Sequence, residues 1–187
     1  MKKTRIVPID RPAQLRALAS PVRQEIVDAL EASGPLSMAA LGEQLGRAPD
    51  SLYFHVRRLV KVGLVVEVER RKVGRHAFVT YDVVGRPLRI DRSKARARDL
   101  VPVVSSVVRL AIRDYRRALE SGLDVGEGRG RNHWGGRVRG DLGPRELARL
   151  NALLEEISQL LRSGRRGAGR QSIAFAWVLA PLAGEKP

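Results

Sequence analysis

The chain has 187 residues, with 35 Lys and Arg against 20 Asp and Glu, a formal net charge of +15 and no cysteine. This length accommodates one large domain or two small ones. Its 43% of apolar residues is enough for packed cores, which excludes a wholly disordered basic chain. The missing cysteines exclude disulfides, zinc ribbons and thiolate chemistry. The positive charge predicts attraction to polyanions, either nucleic acid or an anionic membrane surface.

The sequence has no segment typical of a signal peptide or a membrane anchor. Residues 1–10 are basic but lack an apolar core, and the apolar run 173–183 contains Pro181 and is too short to span a bilayer. We therefore expect a soluble, cytoplasmic protein without a membrane partner.

The first half of the chain is patterned as three helices. Capping and breaking residues predict one helix from Ser20-Pro21 to Gly34, a shorter one between Ser37 and Gly46, and a third from Pro49 to Gly63. Only three or four residues join the second helix to the third. This tight connection is typical of a helix-turn-helix motif.

The third helix has two different faces. Leu52, Val56, Leu59 and Val60 recur at helical spacing and predict a buried stripe. The polar, aromatic and basic residues of the opposite face are candidates for contacts in the DNA major groove. They are Asp50, Ser51, Phe54, Arg57, Arg58 and Lys61. The alternative is that this basic face is only solvated.

After the third helix the apolar period changes to two. Residues 64–69 and 76–81 alternate like paired strands around a basic tip, which predicts a β-hairpin. A basic tip of this kind suits a wing that meets phosphates or enters a narrow minor groove. The candidate DNA contacts of the tip are Arg70, Arg71, Lys72 and Arg75. Alternatively, these charges only keep the hairpin soluble.

Three blocks of this half resemble a known family. They are Leu18-Ala19-Ser20-Pro21-Val22-Arg23, residues 41–46, and the run from Ser51 to Val65, which reads S-L-Y-F-H-V-R-R-L-V-K-V-G-L-V. Together they resemble the winged helix-turn-helix of ArsR-type bacterial transcription regulators over residues 15–81. The resemblance implies a homodimer that binds a nearly two-fold symmetric operator, usually as a repressor released by an effector. The chain departs from the family in lacking its metal-sensing thiolates and in having a long second half.

The second half is read as helical with one terminal strand. We predict a long helix over 100–120, a loop over 122–143 that contains eight glycines, an amphipathic helix from Pro144 to Gly164, and a half-buried strand over 173–179. The predicted fold class is therefore mainly α with a small β-hairpin wing. Residues 11–84 would form the winged helix-turn-helix domain and 88–187 an α+β dimerisation and sensor region.

This second region has more apolar surface than single helices can expose to water. We expect it to pack together and against a partner subunit. A small-molecule effector is a further hypothesis, because four aromatic side chains fall in this region of a chain poor in aromatics. The candidate pocket residues are Tyr115, Trp134, Phe175 and Trp177. Alternatively, these rings complete a small core, and the basic loop binds additional DNA or an acidic partner.

Metal and enzyme motifs are missing from the sequence. His55, His76 and His133 lack partners at ligand spacing, so we expect no metal and no cofactor. The glycines of 126–136 are not followed by the Lys and Ser or Thr of a phosphate-binding loop, and we expect no enzymatic activity.

The sequence thus predicts a DNA-binding transcriptional regulator whose partners are double-stranded DNA and a second copy of itself. It would respond to a signal that thiolates do not sense. The alternative is a basic protein that binds nucleic acid without sequence preference, in an architectural role or associated with RNA.

Overall fold

The computed structural model describes residues 6–73, 76–164 and 169–182. The helices are α1 Pro12–Leu18, α2 Pro21–Ser33, α3 Met38–Leu45, α4 Pro49–Lys61, α5 Ala97–Ser121 and α6 Pro144–Ser163. The strands are β1 Val7–Ile9, β2 Leu36–Ser37, β3 Val65–Val73, β4 His76–Val83 and β5 Leu88–Ile90. The predicted fold class is confirmed: the protein is mainly helical, with a small antiparallel sheet and a helical C-terminal region.

The chain divides into two compact units. The first combines Met1–Ala111 with Phe175–Pro187, and the second is Ile112–Ala174. Helix α5 runs from the first unit into the second. The domain ranges 11–84 and 88–187 stay predictions.

The core of the first unit is built from the apolar faces of α1 to α4 and the base of the sheet. Its fully buried side chains include Leu15 of α1, Ile26 and Leu30 of α2, Leu41 of α3 and Leu64 before β3. Each helix contributes the residues that recur every three or four positions, so that one stripe is buried and the rest is left to solvent. Packing of these stripes fixes the orientation of the helices.

Most of the predicted helix ends are confirmed. The Ser37 hydroxyl accepts a hydrogen bond from the Ala40 amide at 3.2 Å and caps α3. Gly46 and Gly63 have positive φ angles of 61° and 70° at the ends of α3 and α4, where a glycine avoids the strain of a Cβ atom. Ser20 differs from the prediction: it occupies the N-cap position of α2, but its side chain makes no capping hydrogen bond.

The sheet contains more strands than the sequence predicts. The hairpin of β3 and β4 is confirmed, and β2 pairs antiparallel with β4 to give the order β2-β4-β3. The pairing of β3 with β4 shifts between Glu67 and Glu69, as a β-bulge does. Strands β1 and β5 form a separate parallel pair, which ties residues 7–9 to the segment after the hairpin.

The two C-terminal helices are confirmed, whereas the terminal strand is wrong. Residues 170–182 have no regular secondary structure. Alternation of apolar residues over 173–179 satisfies one requirement of a strand, but a strand also needs a neighbour for its backbone hydrogen bonds, and the described residues supply none here. The loop over 122–143 is confirmed as irregular.

No helix in the described ranges is both long and apolar enough to cross a bilayer.

Arg86 joins the end of α2 to the end of the hairpin. Its guanidinium donates to the carbonyl oxygens of Leu30 at 2.6 Å and Glu31 at 3.1 Å, and it forms a two-pronged ion pair with Asp82. Asp82 is only 8% exposed. One side chain thereby satisfies carbonyls at the C-terminal end of a helix and compensates a buried carboxylate.

Replacing Arg86 by Met should lower the free energy of unfolding by about 2 to 4 kcal/mol, because the Asp82 carboxylate would be left buried without its cation. The measurement is urea unfolding followed by circular dichroism. Arg92→Met is the matched control, since Arg92 is exposed, and it should stay within about 0.5 kcal/mol of the wild type. Equal unfolding midpoints for the two variants would contradict the proposed importance of this contact.

Candidate nucleic-acid interface

Helix α4 is held by one fully buried stripe. Leu52, Val56 and Leu59 are each 0% exposed, at spacings of four and three residues that place them on one side of the helix. Because this side is packed into the core, the opposite side must face outward. The phase predicted from the sequence is therefore the phase in the structure.

All six side chains predicted for the outer face of α4 are exposed. Asp50, Ser51 and Phe54 lie in its first half, and Phe54 is 72% exposed despite its aromatic ring. The Ser51 hydroxyl donates to the Ala48 carbonyl at 2.7 Å. Arg57, Arg58 and Lys61 lie in the second half, and all three are exposed. The outer face thus presents polar and aromatic groups first and positive charge farther along.

The turn between α3 and α4 fixes the position of α4. The Arg47 amide donates to the Gly42 carbonyl at 2.9 Å. A Cβ atom on Gly42 would lie 2.7 Å from the Arg47 carbonyl oxygen, so only glycine allows this close approach. The Arg47 guanidinium then reaches α2, where it pairs with the nearly buried carboxylate of Glu25 at 3.0 Å.

The C-terminal end of α4 is held by Arg11, which precedes α1. The Arg11 guanidinium donates to the Val62 carbonyl at 2.6 Å. A positively charged donor at a helix C-terminus satisfies a free carbonyl and interacts favourably with the helix dipole. The turn at one end of α4 and Arg11 at the other therefore restrain it from both sides.

The wing arginines are less free than the sequence implies. Arg70 pairs with Glu67 at 2.7 Å, and Arg71 pairs with Glu69 at 2.5 Å. The hydrogen bond to Glu67 raises the pKa of Arg70 above its ordinary value. These exposed pairs are weak, so a phosphate can replace the carboxylates. Arg75 lies outside the described residues, as does the side chain of Lys72.

Two arginines that were not among the candidate contacts surround the middle of α4. Arg23 of α2 donates to the Ala17 carbonyl at 2.6 Å, and its pKa is lowered by burial and by the nearby charge of Arg58. Burial and the charges of Arg23 and Arg47 likewise lower the pKa of His55. The sequence contains both arginines but does not indicate that they lie close to α4. Their positive charge is brought near α4 only when α2 and the α3–α4 turn pack against it.

The four candidate pocket residues take part in three ring contacts. Tyr115 stacks on His133 with ring centroids 3.9 Å apart, and the Arg131 guanidinium lies 3.4 Å from the centre of the Trp134 ring. Phe175 stacks on Trp177 at 5.2 Å. Tyr115 and Trp134 belong to the second unit, and the other pair belongs to the segment assigned to the first. A pocket formed by all four stays a prediction.

The described residues contain no group of three His, Asp or Glu side chains arranged to hold a metal ion. The Nδ1 atom of His55 is buried and has no hydrogen-bond partner, and its nearby charges are the cations of Arg23 and Arg47. That positive setting is unfavourable for a metal ion.

Comparison with known proteins agrees with this geometry. Residues 18–68 match the family described as "Helix-turn-helix domain", and with the β3–β4 hairpin this part of the chain is a winged helix-turn-helix. The matched segment covers α2, α3, α4 and the start of β3. No curated protein matches the chain.

The solved structures that are similar to this chain include three of low identity. A disulfide-formed AbfR is 13% identical, and the match covers 75% of this chain and 68% of that one. The transcriptional regulator PA4135 is 17% identical, with 80% of this chain and 85% of that one covered. RV1404 from Mycobacterium tuberculosis is 18% identical, with 83% of this chain and 85% of that one covered. Each has a TM-score of 0.30, so none of them assigns a role to a residue here.

The lowered pKa of His55 has a consequence for stability. The unfolded chain takes up the proton near the ordinary His pKa of 6.5, whereas the folded protein takes it up only at lower pH. The stability that neutral His55 contributes is therefore present above pH 6.5 and is lost as the pH falls. In urea unfolding, His55→Gln should lose less stability between pH 7 and pH 5 than the wild type.

If His55→Gln instead loses as much stability as the wild type over this range, the positive surroundings of His55 do not control its titration.

Proposed function

We propose that this protein is a sequence-specific, DNA-binding transcriptional regulator that acts as a homodimer. In this proposal α4 is the recognition helix, the β3–β4 hairpin is the wing, and the cytoplasm, where bacterial DNA lies, is the site of action. Its partner is double-stranded DNA, and catalysis is not part of the role.

The observation that carries the proposal is the division of α4 into a buried stripe and a fully exposed opposite face. A helix of 13 residues spans about 20 Å at 1.5 Å per residue, and the major groove is wide enough to admit it. The outer face has the order that such docking requires, since base-reading groups occupy its first half and phosphate-binding cations its second. Its position in a matched helix-turn-helix domain supports the same conclusion.

Phe54 favours sequence-specific binding over purely electrostatic binding. An aromatic side chain that is 72% exposed contributes nothing to a core and is unfavourable in water. In the major groove an apolar side chain can contact the methyl group of thymine, which distinguishes T from the other bases. Ser51 and Asp50, one turn earlier, add hydrogen-bonding groups beside it. A sequence-independent binder needs none of these three.

Arg57→Ala and Arg58→Ala should each weaken binding to a selected operator duplex by about 10- to 100-fold, because each removes an exposed cation from the docking face. Phe54→Ala should weaken binding to that operator more than it weakens binding to random duplex, so that the preference for the operator falls. Fluorescence anisotropy at fixed salt measures all of these affinities.

Arg96→Ala is the control, because Arg96 is exposed and outside α4 and the wing. Circular dichroism should show that each variant remains folded. Affinities that match this control for both arginine variants would remove α4 from the proposed role. A wild type without a preference for any sequence would favour the alternative, a basic protein that binds nucleic acid indiscriminately.

The homodimer is proposed from an exposed apolar stripe on α5. Its buried residues Val103, Ser106 and Leu110 lie on one side of the helix. The opposite side carries large apolar residues at spacings of three and four positions, each between 39% and 63% exposed. They are Val101, Val104, Val108, Ile112, Tyr115 and Leu119. Such spacing is that of a helix seam that pairs with a second helix, and a second copy supplies an identical one.

Val104→Asp combined with Val108→Asp should weaken self-association by at least about a hundredfold, since each carboxylate would be buried in an apolar contact. Light scattering or sedimentation over a concentration series measures the dissociation constant. The control, Arg109→Asp with Arg116→Asp, places the same charges on exposed positions off the stripe and should remain dimeric. Dissociation of both double variants to the same extent would contradict an interface on this stripe.

Repression and release by an effector are the parts of the proposal that rest on resemblance to ArsR-type regulators. A dimer that blocks a promoter by binding a symmetric operator is the simplest mode of action for such a fold. Because the chain contains no cysteine, its signal is not a metal or oxidant sensed by thiolates. The aromatic contacts of Tyr115 and Trp134 are the proposed starting point for a search for an effector.

A further inference from the structure

A second basic surface lies in the glycine-rich loop of the second unit. Between Gly128 and Gly140 the sequence reads G-R-G-R-N-H-W-G-G-R-V-R-G, with four arginines and no acidic residue. All four arginines are exposed, and Trp134 between them is 70% exposed. We call this segment, residues 128–140, the arginine loop. It contributes to the net charge of +10 that follows residue 84, which the recognition helix and wing do not explain.

The arginine loop is held in place at its centre. The Asn132 side chain accepts from the Val125 amide at 2.7 Å and donates to the Leu123 carbonyl and to Gln171 Oε1, both at 2.9 Å. The next residue, His133, stacks on Tyr115 of α5, and Gly135 approaches the same ring so closely that a Cβ atom would lie 3.3 Å from it. These contacts fix the loop between its two pairs of arginines, so that both pairs are presented to solvent.

The Arg131 guanidinium lies over the Trp134 ring on this surface. The Arg131 guanidinium lies 3.4 Å from the centre of the indole ring, as in a cation–π contact. The Nε atom of Arg131 donates to the His133 carbonyl at 3.3 Å, and its two terminal nitrogens form a fork that can bind two phosphate oxygens at once. The glycines between the arginines allow the backbone to approach a ligand closely. Exposed arginines are among the side chains that most often contact the phosphates of duplex DNA.

We propose that the arginine loop is a second, sequence-independent contact for duplex DNA, in addition to α4 and the wing. This inference rests on the proposed function, because a chain already bound to an operator brings the loop to neighbouring duplex at a high effective concentration. The arginines bind phosphates outside the sequence read by α4, and the Trp134 ring packs against the sugar edge of a groove. The loop thereby strengthens binding without changing which sequence is chosen.

The test compares two double variants of the full-length chain that each remove two exposed cations from the second unit. Arg129→Ser with Arg137→Ser changes the arginine loop, and Arg145→Ser with Arg149→Ser changes the exposed surface of α6. The probes are two 40-base-pair duplexes, one carrying a selected operator and one of random sequence. Binding is titrated at salt concentrations from about 0.05 to about 0.3 M, because phosphate contacts weaken strongly over this range.

The loop variant should bind both duplexes about tenfold more weakly at 0.1 M salt, with the slope of log K against log salt reduced by about 1.8, the value expected for two lost phosphate contacts. Its preference for the operator should be unchanged, and the α6 variant should match the wild type. In a Trp177→Phe background, in which Trp134 is the only remaining tryptophan, added duplex should quench the fluorescence.

Equal salt slopes for the loop variant and the α6 variant would overturn the inference. A single-stranded RNA of 40 nucleotides, titrated in the same way, is a third probe, and a larger loss of affinity on this RNA than on duplex DNA would also overturn the inference. Failure of the proposed function has a different signature. In that case the wild type would show no preference for any operator, whether or not the loop variant changes the salt slope.

Discussion

The placement of α4 depends on its three fully buried side chains, Leu52, Val56 and Leu59. A helix can bury only the stripe that its sequence makes apolar, so this contact determines which residues face outward. Any rotation of α4 that brought Arg57 or Arg58 inward would bury a charge and expose leucine, and both changes are unfavourable. The exposed face of α4 is thus a consequence of core packing, and its residues are not needed for the core.

Long arginine side chains then fix what apolar packing leaves adjustable. Arg11 binds a carbonyl at the end of α4, Arg47 ties the turn before α4 to Glu25, and Arg86 joins α2 to the hairpin. Each reaches a partner 22 to 56 residues away along the chain. Part of the large arginine content is therefore structural. Net charge alone overstates how much of it is available to a polyanion.

Local patterns predicted local structure well, and distant pairings poorly. The caps at Ser37 and Gly46, the helix phase of α4 and the bounds of α6 all depend on neighbours within about one or two turns, which the sequence displays directly. The parallel pair β1–β5 and the contacts of Arg86 with α2 depend on residues that are far apart along the chain, so no local sequence pattern predicts them. The strand expected over 173–179 fails for the same reason, because alternation cannot supply a pairing partner. The exposed side of α4 was predictable from helix phase, whereas the positive charge that Arg23 and Arg47 place near α4 became visible only in the folded unit.

In the proposed function, α4 reads the DNA sequence and the remaining basic surface adds affinity. Selection of duplexes from a random library, followed by sequencing of the bound fraction, tests this division most directly. We predict enrichment of one motif with two half-sites in inverted orientation, at least about a thousandfold preferred over random duplex at physiological salt. Uniform recovery of all sequences, with affinity that depends only on salt, would contradict it.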